Sequence, residues 1–370
     1  MQDNGKISHR QFIVLVYLYS VGTTILVIPS GLAAASKQDA WLGAVAGIAI
    51  GAIILFLYFA LWRLYPGKSF VGICEAVLGR WLGFLIGLIF SFYSFIGAAT
   101  VLFYVGDFFK TQFLPQTPLV LINAFFAFIV VMGVRLGLET LGRSSELMLP
   151  WFLFLFVVLL ATLAPEMKPE NMLPIFETGW MPMINSGFDV AGTAYFPILF
   201  LFALIPNVQN PGKARIGMLL AALLAGISFM LMTLLCIWIL GADITARSMF
   251  PSYALVKKIN IGNFFQRIEA VMAGLWFVTT YFKTTFYYYG WTSSFSELLR
   301  LKSSRTLTLP FGILLVVFSI VVYPNTVYMQ NWDSTVFLPY IITMCGVIPL
   351  LLLIVGGVKR MINPDASQPS

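Results

Sequence analysis

Three groups of residues in this 370-residue chain have types and spacings that could do chemistry. The first is Gly22-Thr23-Thr24, followed by Pro29-Ser30-Gly31. The second is Gly187, Gly192-Thr193 and Pro197. The third is Lys283, shortly after Thr279-Thr280. All three sit inside long apolar runs. Non-helical backbone at membrane depth is tolerated only where it is buried in protein or lines a cavity. Half-helix N-termini and freed amides suit a carboxylate; freed carbonyls and half-helix C-termini suit an ammonium or a cation. A zwitterionic ligand would need both. Gly22, Thr23, Thr24, Gly192, Thr193 and Thr280 are therefore candidate ligand-binding residues, against the alternative that small residues serve close helix packing. A lysine inside a span is costly and normally faces the bundle or a wet cavity. Its other reading is snorkelling to an interface beside Tyr287 to Tyr289. Tyr93, with Ser91 and Ser94, is a candidate cavity wall or a buried tyrosine with a local hydrogen bond.

The elements that must position these residues are about ten apolar stretches. Each can cross a hydrocarbon core of about 30 Å as a helix. The spans read as 12–35, 41–63, 83–106, 118–136, 147–164, 185–206, 215–240, 264–289, 307–323 and 334–358. Composition agrees: 59% of residues are hydrophobic and 10% charged, against about 25% charged in soluble domains. Mean hydropathy is +0.90. The spans use nearly the whole chain, which predicts one membrane domain over 1–370. Spans 1 and 6 are both broken and lie five apart. Repeats of an odd number of spans must run in opposite senses, so the pattern predicts a 5+5 inverted repeat, with repeat one at about 12–164 and repeat two at about 185–358.

The charge pattern sets an orientation. With the N-terminus in the cytoplasm, 14 of the 22 basic residues fall inside and 7 outside, leaving Lys283 within a span. Both termini are then cytoplasmic. The net charge of +7 has this topological explanation and does not call for nucleic acid. Lys257 and Lys258 make the outer 7–8 loop an exception. The first apolar run follows Lys6, His9 and Arg10 and is longer than a signal-peptide core, so it reads as a retained helix despite Ala33-Ala34-Ala35. Cys74, Cys236 and Cys345 lack metal-ligand spacing, and His9 is the single histidine. With no HExxH motif, no aspartate pair in the spans and no serine–histidine pair, the chain reads as a non-enzyme without metal or cofactor. Arg135, Glu139, Arg143 and Glu146 have i,i+3 and i,i+4 spacings, as a self-paired helix or a docking surface in the inner 4–5 connection. Glu269, two residues after Arg267, needs a partner on another element. The outer 5–6 loop, 165–184, carries Glu166, Glu170 and Glu177 and is expected to act as a lid over the outer vestibule.

Five segments carry a resemblance. They are Ile7-Ser8 with Gln11, Gly22, Pro29 and Ala40-Trp41; Tyr65-Pro66-Gly67-Lys68 running to Leu78-Gly79-Arg80-Trp81-Leu82-Gly83; Arg135 to Glu139 with Arg143; Asn171-Met172-Leu173-Pro174 with Gly179 and Pro182; and Arg267-Ile268-Glu269 with Trp276 and Lys283. In order and spacing the chain resembles the spore germination protein B-subunit family (GerAB-like), within the amino acid–polyamine–organocation transporter superfamily. The resemblance implies ten helices in the LeuT-type fold. It implies the integral-membrane subunit of a spore germinant receptor in the spore inner membrane, with a larger A subunit and a C-subunit lipoprotein as partners. It implies a small nutrient ligand, mainly an amino acid. In LeuT-type sodium transporters spans 1 and 8 build an inner cation site, so Lys283 is expected to be a cation-site surrogate there. The lipoprotein is a candidate visitor to the 5–6 loop. The chain departs from the family pattern in mid-span 6, where members commonly place a Glu and this chain has Tyr195-Phe196-Pro197, keeping only Asp189. The competing function is a proton-coupled secondary amino acid transporter of the same fold.

Overall fold

A computed structural model describes residues 5–257 and 269–362. The predicted start of span 8, with Arg267 and Ile268, and Lys258 of the outer loop lie outside the described residues. The protein is an all-α membrane protein of ten spans. Span 1 is α1 (His9–Val21) and α2 (Thr24–Ser36); span 2 is α3 (Ala40–Leu64); span 3 lies in α4 (Phe70–Gln112). Spans 4 and 5 are α5 (Leu119–Leu136) and α6 (Leu138–Leu163). Span 6 is α7 (Trp180–Ala194) followed by a 3₁₀ segment, Phe196–Asn207. Span 7 is α8 (Pro211–Leu240), and the short α9 (Ala242–Arg247) and α10 (Pro251–Lys257) follow it. Span 8 is α11 (Glu269–Leu298) and span 9 is α12 (Arg305–Val321). Span 10 is α13 (Thr326–Trp332), α14 (Leu338–Ile342) and α15 (Ile348–Ile362), joined by π-helical turns at Asp333–Phe337 and Thr343–Val347. Among the described residues, seven helical stretches cross a membrane by length and apolarity alone. Thr24–Leu64 supplies two spans, and α11 and α12 complete the ten.

Several local readings change. The break in span 6 does not fall at Gly192-Thr193. Helix α7 runs through both and stops at Ala194, before Phe196-Pro197. Proline lacks an N–H and disfavours helical backbone at the residue before it, so Pro197 acts upstream. Pro29-Ser30-Gly31 does not break α2, although Pro29 leaves the Ile25 carbonyl without its i+4 donor. The Ser252 hydroxyl supplies that hydrogen bond at 2.7 Å. The inner 4–5 connection shrinks to Gly137 at φ 95°, so Arg143 and Glu146 belong to α6. Glu139 pairs with Arg143 at 2.5 Å on an exposed face, where such a pair contributes little. Glu146 instead accepts from Gln11 Nε2 at 3.1 Å.

The N-terminal motif has a physical role. Ser8 and Gln11 form a reciprocal capping box that starts α1. Ile7 donates to the Asn207 carbonyl at 3.0 Å and accepts from Gln209 N–H at 2.9 Å. Span 1 is thereby tied to the end of span 6 on the N-terminal side of the membrane. The 5–6 connection is tied down as well. Gln38 Nε2 donates to the Pro174 carbonyl at 2.8 Å and to Glu177 at 2.6 Å. The Phe176 N–H donates to Asp39 at 2.9 Å, and Asn171 donates to the Trp238 carbonyl at 2.8 Å. This loop is fastened to the span 1–2 corner and to the end of α8.

Helix α3 packs against α7 along Gly43, Gly47 and Gly51, spaced by one turn each. A Cβ at Gly47 would lie 2.5 Å from Val190 Cβ, and one at Gly51 would enter the Tyr195 ring. Without a hydrophobic force between helices in lipid, such close approach carries association. Gly47→Leu is therefore expected to prevent folding, read as loss of the monodisperse peak in detergent while Gly357→Leu, where a Cβ meets open space, keeps it.

Candidate functional site

The two breaks meet in the middle of the bundle. At Gly22 the backbone takes φ 25°, ψ −125°, a conformation that favours glycine. Its N–H still donates to the Leu18 carbonyl at 3.0 Å, closing α1. Its own carbonyl turns aside and accepts from Thr279 Oγ1 at 3.2 Å. Helix α2 then restarts at Thr24 with no side-chain cap, leaving the partial positive charge of a helix start at the break.

In span 6, Pro197 cannot supply the i+4 donor to the Thr193 carbonyl. The Lys283 ammonium takes that carbonyl at 2.8 Å and lies 3.5 Å from Thr24 Oγ1. The carbonyls just beyond the break also receive side-chain donors. The single Tyr58 OH proton is shared between the Phe196 carbonyl at 2.8 Å and the Cys345 carbonyl at 2.5 Å. Tyr19 OH donates to the Pro197 carbonyl at 3.0 Å. Protein side chains thus hold the acceptors that an unwound helix would offer a ligand ammonium.

Lys283 is only 2% exposed. Its stem crosses Gly22, where an added Cβ would collide with Lys283 Cδ and lie 3.0 Å from Lys283 Cβ. The ammonium sits 5.9 Å from the Tyr19 ring centroid. Among the described residues the one ion pair is Arg143–Glu139, so no carboxylate lies within ion-pair distance of Lys283. The lysine therefore reaches from span 8 across span 1, at Gly22 and Thr24, to the Thr193 carbonyl of span 6 in the gap between the two breaks, and it does not snorkel.

A cavity of about 420 Å³ opens from this gap along α2. It reaches the exposed Ala34 and Ala35. Thr23, Thr24, Tyr93, Thr193 and Lys283 all lie on its wall. Gly22, Gly192 and Thr280 do not. Gly22 stands behind the wall, shaping the path of Lys283. Gly192 faces span 10, where a Cβ would be 3.3 Å from Leu338 and 3.4 Å from Ile341, so its smallness serves packing. Thr280 is fully buried with an unpartnered hydroxyl. Its neighbour Thr279 makes the contact to Gly22.

Aromatic rings close the cavity on the Tyr93 side. Tyr93 packs edge-on against Tyr340 with centroids 4.5 Å apart and lies 5.3 Å from Phe200. Phe200 lies 5.1 Å from Tyr287. Ser94 fixes this arrangement by donating to the Tyr287 carbonyl at 2.6 Å. Two carboxylates also line the wall, Asp189 and Asp333. Asp333 accepts from Tyr104 OH. Asp189, one turn before Thr193 on α7, is half-buried and has no side-chain partner among the described residues. The sequence reading missed Asp333, Tyr104 and Tyr287 as wall residues. An acid at the start of an apolar run was the available signal for Asp333.

Comparison with known proteins fits this geometry. A family model described as "Spore germination protein" matches residues 6–327. The chain is 26% identical to spore germination protein KB of Bacillus subtilis (strain 168), covering 97% of this chain and 96% of that protein. It is also 26% identical to spore germination protein GerLB of Bacillus cereus, covering 96% and 95%. Among solved structures it is similar to Mhp1, a nucleobase-cation-symport-1 family transporter with bromovinylhydantoin bound, at TM-score 0.69 and 12% identity, covering 95% of this chain and 78% of that one. It is similar to MhsT in complex with L-phenylalanine at TM-score 0.66 and 14% identity, covering 93% and 97%. These neighbours place the fold in the LeuT type, with broken helices in spans 1 and 6.

Proposed function

Since the chain belongs to the spore germination protein family, we propose that it is the integral-membrane subunit of a germinant receptor. It binds a small zwitterionic nutrient, an amino acid, in the cavity between the breaks of spans 1 and 6. It passes occupancy to an A subunit and a C-subunit lipoprotein in the spore inner membrane. In this reading both termini are cytoplasmic and the single membrane domain comprises two inverted repeats, at about 12–164 and 185–358. Thr23, Thr24, Tyr93 and Thr193 contact the ligand, while Gly22, Gly192 and Thr280 act from behind the wall. Lys283 supplies the positive charge there, so no bound sodium is needed.

The observation that carries this reading is the charge layout of the cavity. A buried ammonium lies at the break, while Asp189 and Asp333 line the wall. A sensor needs only a ligand that biases two states. The neighbours' transporter fold favours a second reading, proton-coupled amino acid transport through the same cavity.

Gly31 offers a clean test, because it lines the cavity and a Cβ there meets nothing within 4 Å. A panel of labelled L-amino acids is titrated onto the purified protein. We expect saturable binding of at least one member and its loss in Gly31→Trp, with the folded peak unchanged. Binding that survives Gly31→Trp, or no binding across the panel, would contradict the site.

A further inference from the structure

Lys283 holds an unusual position for a buried cation. It is 2% exposed, on a cavity wall and outside ion-pair distance of any described carboxylate. An ammonium carries three donors, and the protein supplies two neutral acceptors, the Thr193 carbonyl and, at 3.5 Å, the Thr24 hydroxyl. Burying a charge without a counter-ion is costly. The uncapped start of α2, a 13-residue helix whose Thr23 and Thr24 share the same wall, adds partial positive charge and no anion. Around this end of the cavity the ammonium meets two neutral acceptors and the Tyr19 ring at 5.9 Å, and no described carboxylate within ion-pair distance.

We infer that Lys283 is the carboxylate anchor of the ligand cavity: its ammonium holds the nutrient's carboxylate on one side and the Thr193 carbonyl on the other. This rests on the receptor reading above and deepens it. Ligand polarity follows. The carbonyls of Gly22, Thr193, Phe196 and Pro197 already accept from Thr279, Lys283, Tyr58 and Tyr19. The ligand's ammonium therefore turns away from the break toward Asp189, about 6 Å farther along α7 at four residues' rise. A free carboxylate is strongly preferred over its amide. Because one ammonium touches both ligand and Thr193, occupancy is felt at the span 6 break.

The test uses the full-length protein in detergent with L-alanine and L-phenylalanine as probes. Their competitors are L-alaninamide, L-phenylalaninamide and phenethylamine. In the wild type we expect the amides and the amine to bind roughly 10- to 100-fold more weakly than the acids, the range of a charge-assisted hydrogen bond. Lys283→Gln should weaken the acids by a similar factor and bring acid and amide to about equal affinity. Lys283→Arg keeps the charge and should keep a preference for the acid, which retains the test if the glutamine variant does not fold. Amides binding as tightly as acids, or Lys283→Gln preserving the preference, overturns the anchor and leaves the receptor reading intact. Competition by chloride against gluconate at equal ionic strength would assign the ammonium to a free anion and also overturns it. Failure of both probes to bind, with the rest of the amino-acid panel, overturns the receptor reading and the anchor with it.

Discussion

Gly22→Ala is expected to lower nutrient affinity roughly 10- to 100-fold, as far as loss of the lysine's charge would, in a protein that still folds. The effect has two sources at one atom. The backbone there takes φ 25°, and holding a non-glycine residue in so sparsely populated a region costs about 1–3 kcal/mol. The new methyl would also lie 2.8 Å from the Tyr19 carbonyl and collide with the Lys283 stem. The Tyr19 carbonyl must relax by a few tenths of an ångström, and the flexible lysine stem must move farther. Moving its stem draws the ammonium off the Thr193 carbonyl and out of the gap between the breaks. The strain alone falls within what a ten-span bundle absorbs, so size-exclusion behaviour should persist. Gly22→Ala and Lys283→Gln then act on the same ammonium, and their effects on affinity should be far from additive. Wild-type affinity in Gly22→Ala, or full additivity with Lys283→Gln, would show that Gly22 does not act through the lysine.

The second large effect concerns stability. Tyr58→Phe removes a hydroxyl that serves two carbonyls, Phe196 at the span 6 break and Cys345 at the second π-helical turn of span 10. Tyr58 is 0% exposed, so no solvent replaces it. One hydroxyl proton makes one full bond, and a buried acceptor left unpaired costs about 1–3 kcal/mol. We expect thermal unfolding in detergent to fall by several degrees or more. Tyr17→Phe is the control. Its hydroxyl meets Ser228 at 2.9 Å, and Ser228 keeps its bond to the Leu224 carbonyl at 3.1 Å, so that loss should be small. Equal losses in the two variants would mean that the carbonyls of the break find other partners.

The spans and the first break were legible because lipid imposes length and apolarity on every helix, and Gly22 interrupts one such run at its middle. The second break was legible in kind but misplaced. Gly192-Thr193 looked like the weak point, whereas Pro197 ends α7 from its C-terminal side and frees the Thr193 carbonyl four residues earlier. Counting back four from that proline identifies the acceptor that Lys283 uses. Lys283 stood out as a cation within a span. Its place between the breaks did not, because its main partner is a backbone carbonyl, which leaves no residue signature. The charged pattern of 165–184 suggested a lid; that Gln38 and Asp39 fasten it to the span 1–2 corner was not legible, because such fastening depends on residues distant in sequence. Asp333 and Tyr104 joined the site for the same reason: spans 3 and 10 meet only in the folded bundle.

The central claim is that this cavity senses a nutrient rather than moving one. Its most direct test measures binding and uptake together, using the tightest-binding labelled L-amino acid in proteoliposomes with imposed proton and sodium gradients. The account predicts saturable binding that Gly31→Trp abolishes and no accumulation above the bound amount under either gradient. Gradient-driven accumulation, lost in the same variant, would contradict it and make the protein a transporter.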